Sequence, residues 1–286
     1  MTISFKAYVQ GRGTFSNVAE PFRFPGGEWH LRYMRQFAES DITWIADVRG
    51  ADANDLVKAG LLAQHVSYLD QPHNFVLMLP YFPAARADRG TPLGAATYAK
   101  LINSMYADQV ISVDLHSRAA WDWTNDLTEV PVTALFIDRA LMGREYDAVI
   151  APDRGALSRA QQVATHLGIE VVRVEKYRDF ATGRITGMEL IGNVPKPGRF
   201  LVVDDICDGG GTFIALAELL NLPKDQLDLW VTHGIFSGKA GQLHDHYGRI
   251  YTTDSHPGAY SGAVRPFSIV PTFPIMFNAM RNGLSK

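Results

Sequence analysis

The stretch from residue 200 to residue 213, FLVVDDICDGGGTF, constrains the fold of this chain more than any other. Its apolar start, residues 200–203, predicts a short core strand, and residues 213–220 predict a helix that Thr212 could cap at its N-terminus. A buried strand that leads through a short polar turn into a helix is the unit from which parallel α/β sheets are built. Functional residues are therefore expected in the turn.

The turn has the chemistry of a site for a phosphorylated ribose. Gly209, Gly210 and Gly211 leave backbone N–H groups unshielded and can adopt positive φ, so an anion can bind to them and to the positive end of the helix dipole. Asp204 and Asp205 are acceptor-only groups that suit the paired 2′ and 3′ hydroxyls of ribose, or an associated Mg²⁺. The structural alternative is that these acids and glycines merely end a strand. The stretch is neither a Walker loop nor a G-x-G-x-x-G dinucleotide fingerprint.

Alternating strand and helix patterns continue along the chain. Predicted strands cover residues 43–48, 74–79, 110–114, 148–150, 171–174, 200–203 and 229–232, and predicted helices cover residues 53–66, 93–105, 157–167 and 212–220. Such alternation predicts an α/β fold with a parallel, doubly wound sheet, and a single sheet of this length is large enough to split into two. We place the boundary near residues 128–131, which gives domains of residues 1–130 and 131–286.

Composition limits the class of protein. A net charge of -3 and the absence of Lys/Arg runs argue against a nucleic-acid partner. Because the sequence has neither a long apolar span nor the h-region of a signal peptide, we expect no membrane partner and a cytoplasmic location. Cys207 is the single cysteine, which excludes an internal disulfide, and we interpret it as a small hydrophobe rather than a catalytic thiol.

Besides the turn, six segments resemble motifs of one family and follow in that family's order. They read RFPGGE at 23–28, PYFPAARADR at 80–89, VISVDLH at 110–116, APDRGALSRA at 151–160, KYR at 176–178 and THGIFSG at 232–238. Together with the turn they are similar to the ribose-phosphate pyrophosphokinases, or PRPP synthetases. The resemblance implies two phosphoribosyltransferase-like domains, each a mainly parallel sheet flanked by helices. The N-terminal domain would then form the ATP side, and the C-terminal domain would hold the ribose-phosphate loop.

The resemblance also implies a reaction and its residues. The family transfers the β,γ-diphosphate of the co-substrate ATP to the anomeric hydroxyl of ribose 5-phosphate, with Mg²⁺ as cofactor, and AMP leaves. The residues implied for ATP binding are Phe24, Glu28, Arg86, Asp88, Arg89 and His116. Those implied for catalysis are Lys176, Arg178 and His116, and those for the metal are His116 and Asp153. The ribose-phosphate residues are Asp204, Asp205, Asp208, Gly209, Gly210, Gly211 and Thr212.

The cationic residues also suit this chemistry by their own properties. Diphosphoryl transfer needs polyanions held in line and their charge neutralised. Arg86 and Arg89 follow an apolar strand and could hold phosphates with forked hydrogen bonds, although a solvated pair of loop residues is the alternative. Lys176 and Arg178 begin a segment that we expect to form a flap over the reacting phosphates, with surface ion pairing as the alternative.

The remaining candidates depend more on the resemblance. His116 and Asp153 each follow an apolar run, at the carboxyl end of a predicted parallel strand, where ligands of α/β proteins bind. A structural histidine and a turn aspartate are the alternatives. Phe24 and Glu28 would contact adenine from a neighbouring subunit in the family's assembly, so the resemblance implies a homo-oligomer, either a dimer or a hexamer.

The chain also departs from the family's pattern. Gly209 and Gly210 replace the Thr and Ala of the family's D-T-A-G-T loop, Gly26 replaces an acid and Ala87 replaces a glutamine. A roomier loop with fewer donors is what a bulkier 5′-substituent requires, so ADP-ribose, in NAD salvage, is the alternative acceptor. Two other functions stay open: a phosphoribosyltransferase that consumes PRPP, and a non-catalytic regulatory homologue.

Overall fold

The computed structural model describes residues 2–39, 41–70, 73–131, 140–141, 143–178, 185–191, 194 and 197–284, with the backbone alone at residues 176–178, 185, 186 and 284. The helices are α1 (Ala53–Ser67), α2 (Gly94–Asn103), α3 (Ala119–Trp123), α4 (Leu157–Leu167), α5 (Gly211–Leu220), α6 (Leu243–His246) and α7 (Phe273–Leu284). The first eight strands are β1 (Ile3–Val9), β2 (Gly13–Ser16), β3 (Ala19–Arg23), β4 (Trp29–Met34), β5 (Ile42–Val48), β6 (Asn74–Leu79), β7 (Gln109–Val113) and β8 (Leu127–Val130). The others are β9 (Ala148–Ala151), β10 (Glu170–Arg178), β11 (Ile185–Ile191), β12 (Phe200–Cys207), β13 (Leu227–Gly234), β14 (Ile250–Thr253) and β15 (Ser268–Val270). In the part of the chain described, no helix is long and apolar enough to cross a membrane.

The chain divides into two compact units, Met1–Val130 with Thr272–Lys286, and Pro131–Pro271. The first unit holds a six-stranded sheet in the order β2-β1-β5-β6-β7-β8 and the separate two-stranded sheet β3-β4. The second unit holds a seven-stranded sheet in the order β11-β10-β9-β12-β13-β14-β15. Most strand pairs in the two large sheets are parallel. The exceptions lie at one edge of each sheet: β1 pairs antiparallel with β2 and β5, and β11 pairs antiparallel with β10. These mainly parallel sheets with flanking helices confirm the predicted fold class.

The C-terminal residues 272–286 belong to the first unit and not, as predicted, to the second. We predicted a second domain of residues 131–286, but α7 packs against β7 and β8 of the first unit. Phe277 of this helix meets Tyr8 edge to face, with ring centroids 5.1 Å apart, and Met276 and Met280 are fully buried. The apolar face of α7 thus completes the core of the first unit, which the order of residues along the chain does not reveal.

The core strands explain why the central elements were visible in the sequence. Every residue is buried in β5 (ITWIADV), β7 (QVISV) and β13 (LDLWVTHG). Uninterrupted burial is typical of parallel strands that helices cover on both faces, and it produces long apolar runs. In contrast, β1 alternates buried and half-buried residues, as an antiparallel strand with one solvated face does. The predicted strands missed β1 to β4, β8, β11, β14 and β15, most of which are short or have alternating burial.

A buried polar network joins the residues before β9 to β13 and β14. Asp228 is fully buried in β13, and it accepts hydrogen bonds from the Tyr146 hydroxyl at 2.7 Å and from the Arg249 backbone N–H at 2.8 Å. The Nε atom of Arg144 lies 2.6 Å from the same carboxylate. Burial raises the pKa of Asp228, while the Tyr146 hydrogen bond and the charge of Arg144 oppose that rise.

Asp228→Ala is expected to lower the free energy of unfolding by about 3 kcal/mol, because the substitution removes a fully buried acceptor and leaves Arg144, whose side chain is only 15% exposed, without its partner. Asp225→Ala, at an exposed neighbouring position, is the control and should change that free energy by less than about 0.5 kcal/mol. Urea denaturation followed by circular dichroism measures both. Equal midpoints for the two variants would contradict a stabilising role for the network.

Candidate active site

The glycine turn, residues 208–210, lies between β12 and α5, in the middle of the second sheet. The strand extends to Cys207, so Asp204 and Asp205 lie within it and not beyond its end as predicted. The helix begins at Gly211, after Gly210 in a left-handed conformation with φ of 79°, and no side chain caps it. The prediction that Thr212 caps this helix is therefore wrong, because Thr212 already belongs to the first turn.

The three glycines of the turn have different surroundings. A Cβ atom on Gly210 would lie 3.3 Å from the Cα atom of Ala240 and 3.3 Å from Cγ of Leu243, so both its φ and its packing require glycine. A Cβ atom on Gly209 or on Gly211 would meet no atom within 4 Å. The turn is thus tightly packed at one position and borders open space at the other two.

Gly210→Ala is expected to lower the free energy of unfolding by at least about 1–2 kcal/mol, the cost of a left-handed conformation for an L-residue, with the contact to Ala240 adding to it. Gly211→Ala is the matched control, because its Cβ enters open space and its backbone is helical. Thermal unfolding of both variants measures the difference. Equal destabilisation by the two substitutions would show that the left-handed turn is not required.

Two carboxylates and an arginine form the polar centre of the site. Asp205 is buried and Asp204 is half-buried. The Nη1 atom of Arg159 lies 3.8 Å from Oδ1 of Asp204, and Nη2 lies 3.7 Å from Oδ2 of Asp205. Burial raises the pKa of Asp204 well above its ordinary value, the charge of Asp205 adds to this rise, and Asp153 contributes further. Arg159 lowers that pKa, so all four residues are close enough to interact.

The direction of this pKa shift predicts a dependence of stability on pH. A carboxyl whose pKa is raised by folding stabilises the fold at low pH, and that contribution is lost as the pH rises through the folded-state pKa. Asp204→Asn should therefore lose less thermal stability than the wild type when the pH is raised from about 5 to about 9. Asp225→Asn is the exposed control, and the melting temperature of each protein across this range is the measurement. A parallel fall in all three proteins would contradict the raised pKa.

Asp153 lies in the turn between β9 and α4. Its Oδ1 atom accepts hydrogen bonds from the backbone N–H groups of Gly155 at 2.9 Å and Ala156 at 3.2 Å. Asp153 therefore does act as a turn residue, and its charge also raises the pKa of Asp204. The turn thus fixes the carboxylate of Asp153 close enough to Asp204 to raise its pKa.

The THGIFSG segment supports the turn from the end of β13. The Cys207 carbonyl accepts hydrogen bonds from the backbone N–H groups of Ile235 at 2.9 Å and Phe236 at 3.1 Å. The Ser237 hydroxyl donates to the Asp208 carboxylate, and the Ser237 backbone N–H donates to the Asp208 carbonyl at 3.0 Å. Cys207 itself is fully buried and burial raises the pKa of its thiol, which confirms its interpretation as a small hydrophobe.

The catalytic candidates Lys176 and Arg178 lie at the end of β10. Their backbones pair with Met188 and Ile185 of β11. Their side chains, and the rest of the predicted flap at residues 179–183, lie outside the described part of the structure. Their role therefore stays a prediction.

In the first unit, Arg86, Asp88 and Arg89 lie on the loop between β6 and α2. The buried side chains of Tyr81 and Phe82 fix the start of this loop. The side chain of Arg89 is 91% exposed, with its Nε atom 3.8 Å from Oδ1 of Asp88, and Arg86 is exposed too. The loop thus presents cationic groups to solvent from a rigid base.

His116 follows β7 in a turn that a neighbouring glutamate organises. Asp114 is buried with a positive φ of 45°, and His116 beyond it is exposed. The backbone N–H of Leu115 donates to Oε1 of Glu129 at 3.0 Å, and the indole N–H of Trp121 donates to Oε2 at 3.1 Å. Glu129 therefore helps to fix the turn that carries His116. It lies outside the segments that resemble the family's motifs, and nothing in the local sequence indicated this role.

Phe24 and Glu28 lie at the tip of the β3-β4 hairpin. The backbone N–H of Phe24 donates to the Glu28 carbonyl at 2.8 Å, and the Phe24 ring is 45% exposed. A Cβ atom on Gly26 would lie 2.6 Å from Oε2 of Glu28. The glycine that replaces the family's acid thus lets the Glu28 carboxylate fold over the tip.

The described residues contain no group of three or more His, Cys, Asp or Glu side chains placed to hold a metal ion. The structure brings Asp153, Asp204 and Asp205 together in the second unit. The ATP-side candidates belong to the first unit, on three separate segments.

Comparison with known proteins agrees with this geometry. A family model described as "Phosphoribosyl transferase domain" matches residues 126–222, which include the β12-α5 turn. A ribose-phosphate pyrophosphokinase from Cereibacter sphaeroides is 31% identical over 243 residues, which cover 80% of this chain and 72% of that protein. A second, from Hyphomonas neptunium, is 30% identical over 273 residues, covering 87% and 86%. The fold is similar to the crystal structure of phosphoribosylpyrophosphate synthetase from Mycobacterium smegmatis, with a TM-score of 0.76 and 22% identity over 93% of this chain and 90% of that chain.

Fold and site thus define an α/β protein of the phosphoribosyltransferase type, with two such units. The relatives narrow the assignment further: the chain belongs to the ribose-phosphate pyrophosphokinase family. The resemblance inferred from the sequence motifs is confirmed.

Proposed function

We propose that this chain transfers the β,γ-diphosphate of ATP to the anomeric hydroxyl of ribose 5-phosphate, forming PRPP and AMP. The observation that carries the proposal is the acid pair Asp204 and Asp205 beside the glycine turn, held on a rigid β12-α5 unit. The relatives that share this chain's fold and sequence are named ribose-phosphate pyrophosphokinases. A phosphoribosyltransferase would use the same turn but would leave the cationic loops of the first unit without a role.

The second unit would bind the sugar phosphate. The carboxylates of Asp204 and Asp205 would accept hydrogen bonds from the 2′ and 3′ hydroxyls. The backbone N–H groups of Gly209–Thr212 would hold the 5-phosphate, because they lie at the N-terminus of α5 and the three glycines carry no side chain that could shield them. Asp208 would be held in place by Ser237.

The first unit would bind ATP. Arg86 and Arg89 are exposed guanidinium groups that can form forked hydrogen bonds with phosphate oxygens, with Asp88 orienting Arg89. Phe24 offers an exposed aromatic face for adenine, with Glu28 beside it. Since these hairpin residues would serve the adenine site of a neighbouring copy, we propose a homo-oligomer, a dimer or hexamer, located in the cytoplasm.

The donor set also fits Mg²⁺. Asp153 offers a carboxylate, the hard oxygen donor that Mg²⁺ prefers, and this cation commonly uses only one or two carboxylates besides phosphate oxygens. Asp153 in the second unit and His116 in the first unit are each proposed to bind Mg²⁺. When bound, it would neutralise charge on the ATP phosphates. Lys176 and Arg178 would stabilise the charge of the diphosphate in flight.

Lys176→Ala is expected to lower the rate of AMP release by a factor of about 100–1,000, the usual effect of removing one group that stabilises a transition state, with thermal unfolding unchanged. Lys224→Ala, at an exposed position, is the control. The rate is measured as AMP formed from ATP, Mg²⁺ and ribose 5-phosphate, with PRPP identified by mass. Absence of AMP with the wild type would favour a regulatory homologue, and full activity of the Lys176 variant would remove that residue from the mechanism.

ADP-ribose is a second candidate acceptor, favoured by one observation: the space next to Gly209 and Gly211 is open. The same AMP assay with ADP-ribose in place of ribose 5-phosphate tests it. Gly209→Thr, which restores the family's residue where a Cβ meets no atom, should lower the ratio of kcat/KM for ADP-ribose to that for ribose 5-phosphate. A wild type that uses ribose 5-phosphate far better than ADP-ribose would exclude this candidate.

A further inference from the structure

Arg159 faces both carboxylates of the ribose site. One terminal nitrogen lies 3.8 Å from Asp204 and the other lies 3.7 Å from Asp205, so a single planar guanidinium spans the pair. All three side chains are enclosed, with exposed fractions of 14% for Arg159, 14% for Asp204 and 8% for Asp205. A lysine ammonium, which is a compact point charge, does not reproduce this two-sided approach.

The helix that carries Arg159 is fixed against the sheet. α4 begins directly after the turn that Asp153 closes, and it packs against β9, β10 and β12. Its buried residues are Ala160, Val163 and Ala164. Arg159 is therefore held on a rigid element that contacts the strand carrying the two acids, which is the arrangement that positions a charged group reproducibly.

Before any ligand binds, the neighbouring carboxylates of the site need a cation that offsets their mutual repulsion. Asp204 and Asp205 are neighbours, and Asp153 adds a third carboxylate close to them. Like charges in an enclosed site repel one another, and one arginine offsets part of that repulsion. A divalent cation would be attracted to the same oxygens, so arginine and divalent cation compete there.

We propose that Arg159 is a positioning residue for the ribose site, acting through Asp204 and Asp205. Its guanidinium aligns the two carboxylates as acceptors for the sugar hydroxyls, and it keeps divalent cations from occupying the acid pair before the sugar binds. The part of this inference that concerns the sugar rests on the proposed function, whereas the part that concerns the cation does not.

Binding of Mn²⁺ to the protein without substrates tests the cation part. Electron paramagnetic resonance of free Mn²⁺ would be measured for the wild type, Arg159→Met, Arg159→Lys and Arg173→Met, the last being an exposed arginine of the same unit. Arg159→Met is expected to bind Mn²⁺ about tenfold more tightly, because the acid pair loses its competing charge. Arg159→Lys should stay near the wild type. An unchanged Mn²⁺ affinity in Arg159→Met would overturn the proposal.

Steady-state kinetics test the sugar part. Arg159→Met should raise KM for ribose 5-phosphate by about 10- to 100-fold, with a smaller effect on kcat and none on KM for ATP, because alignment is lost at the sugar hydroxyls alone. Arg159→Lys keeps the positive charge but cannot face Asp204 and Asp205 with two separate nitrogens, so a severalfold rise in KM for ribose 5-phosphate is expected. If Arg159→Met does not fold, Arg159→Lys is the variant that tests the proposal. Unchanged KM in both variants, or an equal rise in both KM values, would overturn the positioning role. Lack of turnover in the wild type would instead reject the proposed function, and the Mn²⁺ measurement would still decide the role of Arg159.

Discussion

The site depends on one constraint, the burial of two adjacent carboxylates in the central strand of a parallel sheet. Charge is costly to remove from water, and two like charges side by side are more costly still. The chain meets this cost locally: the carboxylate of Asp204 accepts the backbone N–H of Asp205 at 2.9 Å, and that of Asp205 accepts the N–H of Ile206 at 2.8 Å. Arg159 supplies the opposite charge from α4. The two carboxylates are therefore stabilised only when β12 and α4 are both in place, because Arg159 is distant from Asp204 and Asp205 in the chain.

The glycine turn adds a second constraint, of shape rather than charge. Gly210 is pressed against Ala240 and Leu243, while the neighbouring positions on either side border open space. The segment after β13 fixes the turn further through the carbonyl of Cys207 and the carboxylate of Asp208. A backbone held in this way presents its N–H groups in a fixed direction, which lowers the entropic cost of binding any ligand there.

The two units handle charge in opposite ways. In the second unit the acids are enclosed and paired with a cation. In the first unit Arg86 and Arg89 are exposed residues of a loop with a buried aromatic base. Exposed guanidinium groups suit the capture of a strongly hydrated polyanion, while enclosed carboxylates suit the discrimination of sugar hydroxyls, whose hydrogen bonds are strong only away from water. This division agrees with a reaction between a nucleotide and a phosphorylated sugar.

The sequence by itself determined the parallel core and the make-up of the β12-α5 turn. Core strands buried on both faces leave apolar runs, and the acids and glycines of the β12-α5 turn stand next to one another in the chain, so both are visible without a structure. Tertiary structure decided what depends on approach between distant segments. It placed α7 in the first unit, set Glu129 behind the turn of His116, and brought Arg159 to the acid pair. Such pairings depend on which helix packs on which strand, a choice set by the shape of the whole core and not by any local pattern of residues.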